Sequence, residues 1–533
     1  MKQRERIFTI IKYAFSVLFT LLAFTEGFRK KYLLAQLTEL GIIFLLSNYL
    51  LRKKRIAGLI VNAVLLILFH LQIAFMMFGN SYLTNAMITN VHAIRMLGGK
   101  ALLYIAAAVL LVAASVLPAG VVSFRKLREP ELLSVVLALE LAFTLVFGNT
   151  YSPMYAYADL AGKAFRTAAQ RRQIASIEDA GASFYREEVP DEIPGHPSLP
   201  EKPDIALLFT EGLSQNIIDD ERDIMPRIRA YQERSVNFIN YYNHTFATYR
   251  GLIGQLYSGY QLDDFDTNSL VSMQQILGDL GYETVLINTE PHNAGFTSYL
   301  NSLGFDTVLD VEGTEEKRVN GTCSDREAYE ALYRLMTERE PDAPPLFAVL
   351  YTVGTHVTLY STDEVYEGGT AGDFFDKFYN LDYQFASFVE QMEASERWED
   401  TVVVFTADHA TFADEDFTRA FPDYPRKQGI LDTIPFFIYH AGVEAKTVDA
   451  GGRNTLCLAP TVLDYLDINA PNYFLGSSLF GPMSSEITPD TIYHDPDTIL
   501  SSKYGIIRPL IEAESEVFQP LLELYLAAKL HEN

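Results

Sequence analysis

Residues 401–410 read TVVVFTADHA, and residues 204–214 read DIALLFTEGLS. Each is a run of β-branched and apolar residues that breaks off into acid, Asp408-His409 in the first and Glu211 in the second. Short apolar runs bounded by turn signals are what strands buried on both faces look like, as in a parallel sheet. Three more runs share the pattern, at 283–288 (ETVLIN), 346–352 (LFAVLYT) and 434–439 (IPFFIY). Helical periodicity fills the intervals at 225–234, 250–258, 269–280, 325–338, 373–394 and 459–467. Alternating strands and helices predict an α/β domain with a mainly parallel central sheet flanked by helices. In such sheets ligands bind beyond the carboxyl ends of the strands, so those ends select the residues to weigh.

Glu211 follows the first strand, Asp408 and His409 the fourth, and Gly354-Thr355-His356 the third. The segment 240–259 (NYYNHTFATYRGLIGQLYSG) sets Thr248 just before a predicted helix, whose first N–H groups can hold a phosphate. Carboxylates, an imidazole and a hydroxyl make a mixed oxygen and nitrogen site for a divalent ion such as Mn, Mg or Zn. Such an ion activates a hydroxyl and balances charge on a transferring phosphoryl group. Taken singly, each residue has a structural use: Glu211 as a salt-bridge partner, Thr248 as a helix cap, His356 as a hydrogen-bonded loop residue. Four candidates from separate segments at one sheet edge argue for a joint site.

Upstream, the character of the chain changes. The 533 residues carry a formal charge of −26, split between about +10 in residues 1–150 and about −36 in the rest. An acidic domain of that kind excludes nucleic acid as a partner, because phosphate neutralisation needs a basic face. Five apolar stretches near 7–24, 33–51, 56–78, 101–122 and 131–149 approach the ~20 residues a membrane helix needs. With the N-terminus inside, the inner segments hold ten Lys and Arg and the outer loops five, Arg29–Lys31 being the dissenting run. That asymmetry predicts a cytoplasmic N-terminus and everything after about residue 150 outside. Glu39, His70 and Glu140 fall within the spans, where ionisable groups either act or tie helices together. Residues 151–180 read as an amphipathic segment at the outer surface, and the Pro- and acid-rich 186–204 as a linker. The expected domains are therefore 1–150 (membrane), 151–203 (juxtamembrane segment and linker) and 204–533 (extracytoplasmic and catalytic). Only Cys323 and Cys457 are present, either as buried thiols or as one disulfide. No cysteine–histidine cluster suggests a structural zinc site.

The ordered set DIALLFTEGLS, NHTFATYRGLIGQLYSG, TVGTHVTLY, LDYQFASFVEQM, VVVFTADHA, IPFFIYHAG and LAPTVLDYLDI resembles the lipoteichoic acid synthase family within the sulfatase and alkaline phosphatase superfamily. The likeness runs from about residue 7 to about 480. It implies one divalent metal, Mn2+ first with Mg2+ and Zn2+ as alternatives, held by Glu211, Thr248, Asp408 and His409. It implies Thr248 as nucleophile and His356 as a contact to the substrate phosphate or hydroxyl; Arg250 and His292 join it as candidate substrate contacts. The implied reaction is a double displacement. The threonine oxygen attacks a phosphatidylglycerol-like lipid, diacylglycerol leaves, and an acceptor hydroxyl on an envelope glycan or teichoic-acid-like polymer takes the phosphate group.

Thr248-Tyr249-Arg250-Gly251 stands where sulfatases carry a Cys or Ser in a C/S-x-P-x-R setting, which argues for phosphoryl over sulfate chemistry. The chain departs from the family at Gly212, often Ser in relatives, at Val357-Thr358-Leu359 after His356, and at Cys457, which stands where the family has an Asp. It departs again at 293–299 (NAGFTSY), which lacks the Trp and Arg that bind glycerol phosphate in the synthases. The metal site is kept while the substrate pocket differs. The alternatives are a phosphoethanolamine transferase, a sulfatase-like hydrolase of sulfate or phosphate esters, and an envelope protein that has lost catalysis. Retention of Glu211, Thr248, Asp408 and His409 together argues against the last.

Overall fold

The computed structural model describes residues 2–24, 33–79, 82–83, 100–122, 129–147, 152–177, 180–263, 266–313, 322–340, 342–356, 363–367, 373–424, 426, 429, 431–483 and 486–531. Two compact units result, residues 1–170 and 171–533.

The first unit is helical: Lys2–Ala23, Leu33–Lys53, Arg55–Gly79, Lys100–Val116, Glu129–Phe147 and Pro153–Ile174. Within it, Gln3–Ala23, Leu33–Lys53 and Arg55–Met77 are long and apolar enough to cross a bilayer, which makes the chain a membrane protein. The basic residues Arg29–Lys31, Arg125, Lys126 and Arg128, which weigh in the orientation argument, lie outside the described residues, as do Val357-Thr358-Leu359. Polar groups inside the unit tie helices to one another. His70 bridges Ser115 Oγ at 2.9 Å and Ser16 Oγ at 2.8 Å. The Lys12 amine donates to Asn62 at 2.6 Å and to the Ser115 carbonyl at 3.1 Å. Glu39 accepts from Ser152 and from the Met154 N–H, and Glu140 accepts from Thr38. Each satisfies a polar atom that lipid could not.

In the second unit eight strands form the central sheet: β1 (Asp204–Thr210), β2 (Val236–Ile239), β3 (Glu283–Asn288), β4 (Thr307–Asp310), β5 (Leu346–Thr352), β6 (Thr401–Ala407), β7 (Phe436–His440) and β8 (Lys446–Asp449). Their spatial order is β4-β3-β5-β1-β6-β7-β2-β8. Every residue of β1, β5, β6 and β7 is buried, so these strands have no polar face and read as continuous apolar runs. The run at 434–439 departs from the parallel expectation: β7 pairs antiparallel with both β6 and β2. All other pairings in this sheet are parallel. Among the described residues β2, β4 and β8 have no counterpart in the sequence reading. They are four-residue strands, each with exposed positions, too short and too polar to register as apolar runs.

What the sheet does for the site is set by register. β1 lies between β5 and β6, with Thr210 opposite both Thr352 and Ala407. The three chains therefore leave the sheet side by side. The Asp408 N–H donates to the Thr210 carbonyl at 3.1 Å, and the Glu211 N–H to the Thr352 carbonyl at 3.1 Å. Downstream, β9 (Thr491–Asp495), β10 (Thr498–Ser501) and β11 (Arg508–Pro509) form a small antiparallel sheet. The C-terminal helix Glu512–His531 buries Phe518, Leu522 and Tyr525 in a second apolar cluster with Tyr260 and Tyr493. Residues 187–203 form no helix or strand, and Arg186 pairs with Asn472 of the same unit. Cys323 and Cys457 are both buried free thiols.

Candidate active site

Three of the expected ligands converge. One ligand atom each from Glu211, Asp408 and His409 lies within 4.8 Å of the others, and all three residues are buried. His409 Nε2 stands 3.5 Å from Glu211 Oε1 and 3.6 Å from Asp408 Oδ2. The imidazole is oriented from its far side, where Nδ1 faces the Ala410 carbonyl at 2.7 Å. A proton on Nδ1 leaves the Nε2 lone pair for a metal, the usual arrangement in metal sites. Asp408 Oδ1 accepts from the Gly212 N–H at 2.8 Å and the His409 N–H at 2.7 Å. Asp408 Oδ2 is buried without a hydrogen-bond partner among the described residues. A buried, unsatisfied carboxylate oxygen is costly, and a cation at this point would satisfy it. Two carboxylates and one imidazole fit a divalent ion with oxygen and nitrogen ligands.

Thr248 opens the helix Thr248–Leu256, and its hydroxyl donates to Glu211 Oε2 at 3.0 Å. Two backbone features hold it there. Ala247 is bent into φ 82°, ψ 148°, a region that L residues occupy only under strain. Gly251, one turn in, lies against the Asp408 main chain: a Cβ there would sit 3.0 Å from the Asp408 carbonyl carbon and closer still to its oxygen. The helix reaches the strand end because position 251 has no side chain. Gly212 is at φ +50°, which favours glycine and aims its N–H at Asp408.

Charge organises the cluster. Burial alone would push the Glu211 carboxyl up, but His409, His356 and the hydroxyl of Tyr351 hold it below its ordinary value. Burial raises the Asp408 carboxyl above its ordinary value against the pull of His409, with Glu211 adding to the rise. His409 goes to about 9, because Asp408 and Glu211 outweigh the burial that would lower it. Without metal, the imidazole carries a proton between the carboxylates. Phe246 and Phe412 stand 4.8 Å and 5.8 Å from the His409 ring. They give one wall an apolar surface that strengthens every charge interaction beside it.

Of the other expected residues, His356 joins the group: its ring interacts electrostatically with both Glu211 and His409, and burial lowers its pKa. The Arg250 guanidinium donates to the His494 carbonyl and stands 3.2 Å from that ring's Nδ1. His292 is half exposed and pairs with Glu312 at 3.7 Å. Three residues were missed by sequence reasoning. Tyr351, the next-to-last residue of β5, donates its hydroxyl to Glu211. Glu290 lies two residues past β3, is buried, and has its pKa raised to about 7 by burial first and by Glu211 last. The strand-end rule that selects Glu211 also selects Glu290. Lys377 is buried on the helix Asp373–Glu393, next to His356, and nothing local in the sequence marks it.

The sheet thus carries, at its strand ends, a buried acid–acid–histidine cluster able to hold a metal ion, with the Thr248 hydroxyl beside it. Residues 203–468 match the Sulfatase family, and the chain is a sulfatase-superfamily enzyme. The lipoteichoic acid synthase-like resemblance fits this placement. Three solved structures share the fold. One is a protein of the alkaline phosphatase superfamily from Vibrio parahaemolyticus (15% identity, TM-score 0.51, covering 68% of this chain and 93% of that one). The second is the lipoteichoic acid synthase LtaP from Listeria monocytogenes (16%, 0.50, 68% and 98%). The third is the integral membrane lipooligosaccharide phosphoethanolamine transferase EptA from Neisseria meningitidis (14%, 0.52, 86% and 95%). No curated protein matches the chain in sequence.

Proposed function

We propose that this chain is a membrane-anchored, metal-dependent phosphotransferase. It moves glycerol phosphate or a related head group from a phospholipid to a cell-envelope polymer or glycan through a covalent phospho-threonine intermediate on Thr248. The observation that carries the reading is the 3.0 Å hydrogen bond from Thr248 Oγ1 to Glu211, at the first turn of a helix and beside the Asp408–His409 pair.

Glu211, Asp408, His409 and Thr248 would hold one divalent ion, manganese before magnesium or zinc. When bound, the ion supplies charge balance for the phosphate and acidifies the threonine hydroxyl. The rest falls to the chain. Glu211 orients the Thr248 hydroxyl. Oγ1 bonds to phosphorus as the bond from phosphorus to the diacylglycerol oxygen breaks, and diacylglycerol leaves with a proton. An acceptor hydroxyl then takes the phosphate group and frees the threonine. His356 contacts the phosphate or a substrate hydroxyl. Arg250, through His494, and His292 border the substrate side. In this reading five spans hold the N-terminus in the cytoplasm, with membrane residues 1–150, a juxtamembrane and linker segment 151–203, and the catalytic domain 204–533 outside. Anchoring raises the local concentration of a lipid donor.

Glu290 favours one variant of this reading. A buried carboxylate within electrostatic reach of Glu211 is a fitting partner for an ammonium head group, so phosphoethanolamine is the related group to compare. The test uses full-length protein with manganese in vesicles of fluorescent phosphatidylglycerol or phosphatidylethanolamine, and follows labelled diacylglycerol. Release by the wild type and not by Thr248→Ala is expected. No release from either lipid, together with turnover of soluble phosphate or sulfate esters, would put the hydrolase reading in its place.

A further inference from the structure

Transferring a phosphate from a diester sets a charge problem that the triad does not solve. Glu211 and Asp408 neutralise a divalent ion, and a coordinated His409 is neutral. An attacking threonine oxygen and the phosphate then bring further negative charge. A second cation near the strand ends would answer it. The segment 289–316, which follows β3 at the same sheet edge, contains no Lys or Arg. The Arg250 guanidinium is engaged by the His494 carbonyl and ring.

Lys377 meets the need. It lies on the helix Asp373–Glu393 and is only 4% exposed. Its amine donates to the His356 carbonyl at 3.4 Å and stands 5.2 Å and 5.4 Å from the ring centroids of Phe374 and Phe378. Among the described residues that carbonyl is its only hydrogen-bond acceptor. An ammonium has three donors, so two N–H groups have no acceptor among the described residues, in a buried setting where such groups are normally satisfied. The charges that reach it are those of Asp414, Glu211 and Asp416, and its own charge is felt by the His356 ring. Among the described residues it forms no direct ion pair with any of these carboxylates, so its charge is not neutralised by contact. The amine is held at the main chain of His356, the residue proposed to contact the substrate, and within electrostatic reach of Glu211.

We propose that Lys377 is a phosphate-binding residue of this site, its ammonium holding a non-bridging oxygen of the transferring phosphate. The proposal rests on the phosphotransferase reading for the identity of the substrate, and on the geometry of Lys377 alone for the anion contact. It makes the pocket selective for anionic esters over neutral ones.

The test is a calorimetric titration of inorganic phosphate into manganese-loaded, full-length protein. Wild type, Lys377→Gln and Lys377→Arg run in parallel, each also titrated with manganese and melted with and without phosphate. Loss of a charge-assisted contact weakens phosphate binding by roughly tenfold to a hundredfold in Lys377→Gln. Manganese affinity stays at the wild-type level, and Lys377→Arg recovers most of the phosphate affinity. The phosphate-dependent rise in melting temperature present in the wild type disappears in Lys377→Gln. A folded Lys377→Gln protein with wild-type phosphate affinity overturns the proposal, as does a wild type that binds no phosphate. If Lys377→Gln does not fold, Lys377→Met carries the same test, and a folded Lys377→Met protein with wild-type phosphate affinity overturns the proposal equally. Diacylglycerol release by the wild type, measured alongside, separates the two ideas. Release together with an unchanged Lys377→Gln affinity sinks only the lysine contact. A lysine-dependent phosphate site without release from either lipid sinks only the lipid transferase.

Discussion

Replacing Gly251 by alanine adds one methyl group at the point where the Thr248 helix touches the metal-site strand. The added carbon would stand 3.0 Å from the Asp408 carbonyl carbon and 3.4 Å from Asp408 Cβ. Carbon atoms rest about 3.5–4.0 Å apart, so relief needs a shift of ~0.5–1 Å by the helix or by the strand end. Either shift moves Thr248 Oγ1 relative to Glu211 and Asp408. A misplacement of about 1 Å in a reacting group costs on the order of a hundredfold in rate. We expect kcat in diacylglycerol release to fall roughly tenfold to a hundredfold by that reasoning. Stability should change less. Alanine is favoured over glycine within a helix by about 0.5–1 kcal/mol, which partly offsets an overpacking cost of about 1–3 kcal/mol. Gly278→Ala is the control: there a Cβ meets Thr284 at an ordinary 3.8 Å, and activity should hold. A Gly251→Ala protein with wild-type kcat would refute the idea that this contact sets the position of the threonine.

Three further outcomes follow from the geometry. The metal-free His409 carries its proton up to about 9, and coordination needs the neutral ring. Manganese uptake at neutral pH should therefore release protons, and affinity should climb as pH rises toward that value. Calorimetry in buffers of different ionisation enthalpy reads this directly, and a pH-independent affinity would contradict it. Ala247→Gly removes a strained φ of 82° and should stabilise the fold by about 1 kcal/mol while lowering kcat as Thr248 loosens; denaturant melts and turnover together check both signs. Glu290 binds its proton up to about 7 in the folded state against 4.5 ordinarily. Through that window the folded state holds more protons, so stability falls as pH rises. Glu290→Gln should flatten the fall, as seen in melts of metal-free protein across the range.

The central strands were legible because burial on both faces leaves each as an unbroken apolar run. The runs at 204–210, 283–288 and 346–352 coincide with β1, β3 and β5. Nothing in such a run encodes direction, which is why the reversal of β7 was not readable. β2, β4 and β8 were invisible because four residues with exposed positions carry no period. At the site, Glu211, Asp408, His409 and Thr248 were legible since each closes a strand or opens a helix, and the sheet register brings them together. Tyr351 and Lys377 reach the cluster by tertiary packing, one from inside an apolar strand and one from a helix face, and sequence spacing does not report that. The partners of Arg250 and His292, which are His494 and Glu312, are likewise contacts that residue type and spacing do not report.

The central claim is that Thr248 carries the phosphate group between donor and acceptor. The direct measurement is mass spectrometry of the proteolytic fragment containing Thr248, taken after brief exposure of manganese-loaded protein to phosphatidylglycerol vesicles without acceptor. The account predicts a glycerol phosphate adduct on Thr248, formed together with diacylglycerol and absent from Thr248→Ala. Diacylglycerol released with no adduct, and released equally by Thr248→Ala, would contradict it.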